Sequence, residues 1–291
     1  MRNGSPRRML VGLIGINIGQ SLAPALHEDA FAAAGMTGHY HLMDAETPRK
    51  RALPDLLAAA RHAGFGGFNV TFPFKEAVIP LLDEVSDEAR EIGAVNTVVV
   101  DAQGRTSGHN TDRSGFRAAF LEAFGADAAR GQPVLLLGAG GAGRAVAFAL
   151  RDLGASPIRI FDRDGQRAHR LCADLRCGEV LDTPEPAAAA AAGIVNATPI
   201  GMTGHEGLPM TPDVVRAGQY VADVIYTPLE TEFLKAAKAK GARTMGGAGM
   251  CVHQAVDAFR HFTGTTPDIE RLKQTFAAAA ARRTVNQEAR P

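Results

Sequence analysis

The sequence predicts an α/β protein of two domains, the first on a mixed sheet and the second on a doubly wound parallel sheet. Three observations lead there. The chain has 291 residues, long for a single core and comfortable for two. Short apolar runs alternate with helix-like segments, the pattern of α/β layers. The first half also carries a hairpin pattern, whereas the second half opens on a continuous apolar run that leads into a glycine-rich turn.

Taken in order, residues 9–15 read as the first strand. A helix follows from Pro24, because proline is favoured at the first helical position, and ends near Gly35. Residues 39–43 form a strand, 54–63 a helix and 67–70 a strand. Residues 94–100 and 104–108 pair as a hairpin around Asp101-Ala102-Gln103-Gly104. Residues 113–124 make a connecting helix. The run 133–137 is apolar throughout, as expected of a strand covered on both faces, and enters Gly138. A helix reaches residue 153, and 157–161, 193–195 and 220–224 are further strands. Residues 182–192, rich in Pro and Ala, are a loop feeding a short helix. Residues 252–262 and 269–281 close the chain as helices, and the polar tail after Arg282 frays.

Lys plus Arg and Asp plus Glu number 31 each, for a formal net charge of +0. Such a chain has no general field to hold a polyanion, which argues against nucleic acid as a partner. The three cysteines, Cys172, Cys177 and Cys251, show no CxxC spacing. They argue against a disulfide framework or structural zinc and read as small apolar residues in a reducing cytoplasm. The histidines are scattered without ligand spacing, so no metal is expected. Ser5-Pro6-Arg7-Arg8-Met9-Leu10 has a loose likeness to a twin-arginine export signal, but Gly12, Gly15 and Asn17 interrupt the short apolar stretch behind it. No stretch approaches the ~20 apolar residues that span a bilayer. A cytoplasmic protein without a membrane partner is expected.

Gly138, Gly140 and Gly143 form a GxGxxG turn between a strand and a helix, the context in which this motif binds a dinucleotide. The first glycine permits the tight turn, the second lets the backbone approach a pyrophosphate, and the third lets helix and strand pack closely. Ala139, Gly141 and Ala142 complete the turn, and the phosphates belong on the positive helix N-terminus. The alternative is a tight glycine-rich turn with no ligand. Asp162 follows nineteen residues beyond Gly143, at the end of the next strand. A carboxylate there accepts hydrogen bonds from ribose hydroxyls and repels a 2′-phosphate, which favours NAD. Arg163 keeps NADP open, because a guanidinium pairs with the extra phosphate.

Several short segments carry further information together. They are Ser21-Leu22-Ala23-Pro24, Asn69-Val70-Thr71-Phe72-Pro73-Phe74-Lys75, Gly93-Ala94-Val95-Asn96-Thr97 and Asn110-Thr111-Asp112. Later come Asn196-Ala197-Thr198-Pro199, Asp223 to Pro228, and Gly247 to Gln254. In this order, from about Gly12 to Gly264, the chain resembles the shikimate/quinate dehydrogenase family. The resemblance implies a substrate-binding and catalytic domain over residues 1–112. It implies an NAD-binding Rossmann domain over 113–247, and C-terminal helices, 248–291, that return to the substrate domain. It further implies hydride transfer between NAD and a ring hydroxyl of shikimate and/or quinate, 3-dehydroshikimate or 3-dehydroquinate being the ketone partners. A monomer or homodimer is expected.

Residue by residue, Lys75 matches the family's catalytic lysine. With Pro73 at a first helical position, Lys75 falls in the first turn, where the helix field disfavours an ammonium and suits proton exchange with a hydroxyl. Asp112 matches the catalytic aspartate; on the residues alone it serves equally as the cap of a helix starting at Arg113 or Ser114. Thr71, Asn96 and Gln254 match positions that bond ring hydroxyls, and Ser21 and Tyr226 positions that hold a carboxylate. Thr198, Val224 and Gly247 match places bordering the nicotinamide and phosphates. His253 precedes Gln254 on a helix, where neighbours face different ways, so it reads as structural.

The chain departs from the family at Ala23, where a second Ser or Thr is usual. Ala23 is the expected N-cap before Pro24, so both a cap and a carboxylate contact are given up. One reading is drift; another is that the smaller side chain makes room for the extra hydroxyl of quinate. Two other functions fit the same motifs: dehydrogenation of a modified, for example amino-, shikimate, and a non-catalytic NAD- or quinate-sensing module. Intact Lys75 and Asp112 speak against the second.

Overall fold

The computed structural model describes residues 8–46 and 50–288, with side chains through Arg283. Ser5, Pro6 and Arg7 of the export-signal likeness lie outside the described residues. The chain gathers into two compact units, Met1–Thr111 with Gln254–Pro291, and Asp112–His253.

The first unit opens on β1 (Arg8–Gly15), whose last five residues are all buried. There follow α1 (Ala23–Ala33), β2 (Thr37–Asp44), α2 (Leu53–His62), β3 (Gly67–Val70), a 3-10 turn (Ile79–Leu81), β4 (Glu84–Val85), α3 (Asp87–Ile92), β5 (Thr97–Val100) and β6 (Thr106–His109). The sheet order is β2-β1-β3-β5-β6-β4. β1 runs parallel to β2 and β3, while β5 is antiparallel to β3 and β6, so the sheet is mixed as the hairpin pattern implied. The hairpin turn is made by Asp101, whose Oδ1 accepts from the backbone N–H of Gln103 at 2.9 Å and Arg105 at 2.8 Å. Gly104 takes the left-handed conformation there, with φ 78°. α2 buries Leu53, Leu56, Leu57 and Ala60, a helical stripe, against Ile14, Phe68, Val70 and Val98.

The second unit comprises α4 (Asp112–Phe124), β7 (Val134–Leu137), α5 (Gly141–Asp152), β8 (Ile158–Phe161), α6 (Gly165–Leu175), β9 (Gly178–Val180), α7 (Glu185–Ala190), β10 (Gly193–Asn196), β11 (Tyr220–Asp223), α8 (Glu232–Ala239), β12 (Arg243–Met245) and the first turns of α9 (Ala248–Thr263). Its strands are all parallel, in the order β12-β11-β10-β7-β8-β9. This is the doubly wound Rossmann order, and the winding reverses between β7 and β10. Every residue of β7 and β10 is buried, as a sheet covered on both faces requires.

From Gln254 onward α9, together with α10 (Ile269–Glu288), belongs to the first unit. Phe259 of α9 lies 5.0 Å, ring to ring, from Phe31 of α1. Asp29 of α1 takes a two-pronged ion pair from Arg271, at 2.7 and 2.8 Å, and the hydroxyl of Thr275 at 3.0 Å. Both closing helices outrun their expected bounds. α9 begins at Ala248, and α10 continues through the tail expected to fray after Arg282, as far as Glu288.

Candidate functional site

In the second unit the glycine-rich turn lies at the carboxyl end of β7, beside the switch point where open α/β sheets bind ligands. Gly138 has φ 99°, and a Cβ there would sit 3.0 Å from Ala197 and from Thr198 Cγ2, the residues that follow β10. A Cβ on Gly143 would lie 2.0 Å from Gly138 O, so only glycine lets α5 close onto the turn. A Cβ on Gly140 would meet nothing nearer than Arg167 Nη1 at 3.9 Å; the turn opens there onto space beneath a guanidinium. Gly140 is also the N-cap of α5 and offers no side-chain acceptor to its first N–H groups, which suits an anion. The residues therefore fit a dinucleotide pyrophosphate. Asp162 braces the turn: its Oδ2 accepts from Ala139 N–H at 2.7 Å and its Oδ1 from Asp164 N–H at 2.8 Å. Arg163 is exposed.

A second brace ties the loops after β10 and β11. Thr198 Oγ1 donates to Asn196 Oδ1 at 2.7 Å, and Asn196 Nδ2 donates to Asp223 Oδ2 at 3.1 Å. The Asp223 carboxylate also takes Thr231 Oγ1 at 2.9 Å and Ile225 N–H at 3.0 Å. Burial pushes this carboxyl up to about 6, against the three donors that favour its charge. Val224 and Gly247 meet backbone to backbone, since a Cβ on Gly247 would lie 2.1 Å from Val224 O. Tyr226 follows, half-buried.

In the first unit Thr71 sits against the end of β1, where a Cβ on Gly15 would be 2.4 Å from its Cγ2. Backbone bonds link the motif segments: Val70 N–H donates to Asn96 O at 2.8 Å and Val95 N–H to Lys75 O at 2.8 Å. Asn96, 3% exposed, accepts from Thr111 N–H at 2.8 Å through Oδ1 and donates from Nδ2 to Thr111 Oγ1 at 3.0 Å. Thr111 Oγ1 in turn reaches Gln254 Oε1 at 3.4 Å. Thr71, Lys75, Asn96 and Gln254 thus belong to one connected framework. Asp112 and Tyr226 fall in the other unit. His253 and Gln254 point apart as expected. His253 Nε2 lies 3.0 Å from Glu122 Oε1, whereas Gln254 meets Thr111.

Three local expectations need correction. Lys75 is not in a helix: a helix needs its C=O to accept from Ile79 N–H, but Val95 N–H takes that carbonyl and Ile79 N–H goes to Glu76 O. The helix field expected at the ammonium is therefore absent. Ala23 is not the N-cap of α1; Leu22 is, and Ser21 Oγ accepts from Ala23 N–H at 3.2 Å. The Ser or Thr usual in the family at this position would not act as a cap here. Asp112 does not precede a helix starting at Arg113 or Ser114. It is itself the first residue of α4, 5% exposed, and its carboxylate lies at the favourable end of the helix dipole.

Asn69, Thr97, Thr111, Asn196 and Asp223 stand inside the motif segments but received no role of their own, and Tyr40 and Arg167 were passed over. A polar residue inside a wholly buried strand, as Asn69 is in β3, was the available signal.

Residues 13–98 match the family model described as shikimate dehydrogenase substrate binding domain. The chain is 46% identical to a quinate/shikimate dehydrogenase (NAD(+)) of Corynebacterium efficiens, over 92% of this chain and 97% of that one. It is 45% identical to a shikimate dehydrogenase (NADP(+)) of Streptomyces avermitilis, over 93% and 96%. Among solved structures, quinate dehydrogenase from Corynebacterium glutamicum in complex with NAD superposes with a TM-score of 0.86 at 43% identity, covering 94% of this chain and 99% of that one. On this likeness over nearly its whole length, the chain belongs to the shikimate/quinate dehydrogenase family of oxidoreductases.

Proposed function

We propose that the chain transfers a hydride between NAD and the ring hydroxyl of shikimate and/or quinate, giving 3-dehydroshikimate or 3-dehydroquinate, in the cytoplasm. The observation that carries this is the framework joining Thr71, Lys75, Asn96, Thr111 and Gln254 in one unit. It presents an amine, two carboxamides and two hydroxyls, the donor set that a polyhydroxylated ring needs. The assignment of residues 1–112 and 248–291 to substrate, and of 113–247 to cofactor, follows from the same proposal. Among the described residues no helix is long and apolar enough to cross a membrane.

Gly138 to Gly143 would seat the pyrophosphate, Asp162 the adenosine ribose, and Thr198, Val224 and Gly247 the nicotinamide side. NAD, when bound, supplies the hydride acceptor. Lys75 takes the hydroxyl proton in oxidation and returns it in reduction, and Asp112 orients the reacting group. Thr71, Asn96 and Gln254 bond the ring hydroxyls. Ser21, whose Oγ already accepts from Ala23 N–H, keeps its proton to donate to the ring carboxylate, the role also given to Tyr226. NAD is placed ahead of NADP on Asp162: a braced carboxylate beside a 2′-phosphate is costly, whereas exposed Arg163 turns to solvent.

Lys75→Met tests the assignment. Turnover is expected to fall ~10²–10⁴-fold, the usual contribution of a positioned acid–base group, with NAD affinity unchanged. Turnover within a few-fold of the parent protein would remove Lys75 from the chemistry.

A further inference from the structure

The carboxamides of the first unit are linked to a buried tyrosine by a chain of hydrogen bonds that all run the same way. Tyr40, 2% exposed, donates its hydroxyl to Asn69 Oδ1 at 2.8 Å. Asn69 Nδ2 donates to Thr97 Oγ1 at 3.0 Å, and Thr97 donates to Asn96 Oδ1 at 3.0 Å. Asn96 Nδ2 donates to Thr111 Oγ1 at 3.0 Å, and Thr111 donates to Gln254 Oε1 at 3.4 Å.

The direction is set by the backbone. Thr111 N–H is only a donor, so the group it meets at 2.8 Å is the oxygen of Asn96. Asn96 C=O is only an acceptor, so the group it meets at 3.2 Å is the nitrogen of Asn69. With both amides pinned, Asn69 turns its oxygen to Tyr40, and the phenol must donate. Thr97, which accepts from Asn69, passes its proton on to Asn96 Oδ1 at 3.0 Å, nearer than Thr111 Oγ1 at 3.2 Å. Asn96 Oδ1 then already accepts two shorter bonds, so the Thr111 hydroxyl, 3.2 Å from that oxygen and from Thr97 Oγ1, turns its proton outward to Gln254 Oε1 at 3.4 Å. The Tyr40 ring is itself held, stacked on His27 at 4.6 Å, and His27 lies 6.2 Å from Phe259 of α9, the helix that carries Gln254. The start of the chain is thereby tied to the element bearing its end.

Resting on the proposed function, we propose that Tyr40, Asn69 and Thr97 are positioning residues that reinforce the polarity the backbone sets at Asn96 and carry it through Thr111 to Gln254, so that the substrate ring meets N–H donors and not carbonyl oxygens. Asn96 then has one N–H beyond those the chain uses. A donor suits this reaction in both directions, because a hydroxyl oxygen and a ketone oxygen both accept. Chains of aligned hydrogen bonds also polarise one another, so loss of the first link weakens the last.

Tyr40→Phe is the test, since it keeps the ring on His27 and removes only the donor. The KM for shikimate or quinate is expected to rise ~10-fold, equivalent to about 1.4 kcal/mol, with the KM for NAD unchanged. Thr97→Val should do the same, Thr97→Ser should restore the parent value, and the double variant Tyr40→Phe/Thr97→Val should fall well short of the product of the singles. A general loss of structure would instead raise both KM values and give additive effects. The side-chain amide protons of Asn96, followed by ¹⁵N–¹H NMR without substrate, should shift in Tyr40→Phe. Unmoved Asn96 signals with an unmoved substrate KM would overturn the relay. If the parent protein oxidises neither acid while the Asn96 signals still respond to Tyr40→Phe, the proposed function falls and the relay stands.

Discussion

His27 is expected to make the protein acid-labile by an amount that follows from its surroundings. The side chain is 1% exposed, its ring stacks on Tyr40, and neither ring nitrogen has a hydrogen-bond partner among the described residues. Burial disfavours the imidazolium and pushes the group down from 6.5 to about 3. The folded protein therefore stays neutral at His27 while the unfolded chain takes up a proton below 6.5, so stability is lost as pH falls. The loss is about 1.4 kcal/mol per pH unit once the unfolded group is charged. Between pH 6.5 and 4.5 that sums to about 3 kcal/mol, a large part of the 5–15 kcal/mol typical of a folded domain. His109 and His261 are also shifted down, chiefly by burial. They act in any variant, so the comparison must be a difference. Urea unfolding of the parent protein and of His27→Phe, at half-unit steps from pH 7.5 to 4.5, isolates the proton. A constant offset reports packing; a gap that moves by about 3 kcal/mol in favour of the variant reports the charge. Parallel stability curves would refute the argument.

Other consequences are equally concrete. Asp162→Ala removes the acceptor of Ala139 N–H, so NAD affinity by calorimetry should fall ~10–100-fold and the NADP-to-NAD preference should rise; an unchanged preference would contradict the role given to this carboxylate. Gly143→Ala drives a methyl into Gly138 O, a backbone atom with little room to yield, and should cost about 1–3 kcal/mol in thermal unfolding along with most NAD binding. The Asp223 carboxyl should titrate with a midpoint near 6 by ¹³C NMR. Because its folded value lies above the unfolded one, its ionisation removes about 3 kcal/mol of stability as pH rises from 3.8 to about 6; a midpoint below 4 would contradict this.

The parts most legible in the sequence were those in which one residue type does one job. β7 is Val-Leu-Leu-Leu, buried throughout, and Gly138 and Gly143 after it occupy the tight positions their spacing implied. α6 was not legible, because only Ala168, Leu171 and Leu175 of its eleven residues are buried and its start depends on the Asp164 cap. β4 has two residues and β9 three, too few for any alternation to show. Lys75 was misplaced because Pro73 reads as a helix start, while the competing bond comes from Val95, twenty positions away. For the same reason the Tyr40 chain was invisible: its members are spread from Tyr40 to Gln254 and are joined by the sheet register and by the contact of Thr111 with α9.

The most direct measurement is absorbance at 340 nm with the purified protein, crossing NAD and NADP against shikimate and quinate. Reduction of NAD by either acid, with NADP slower, is the expected result, and the quinate-to-shikimate ratio of kcat/KM, compared with Ala23→Ser, shows whether Ala23 makes room for the extra hydroxyl. No reduction in any of the four combinations would contradict the proposed hydride transfer and favour a modified-shikimate substrate or a sensing role.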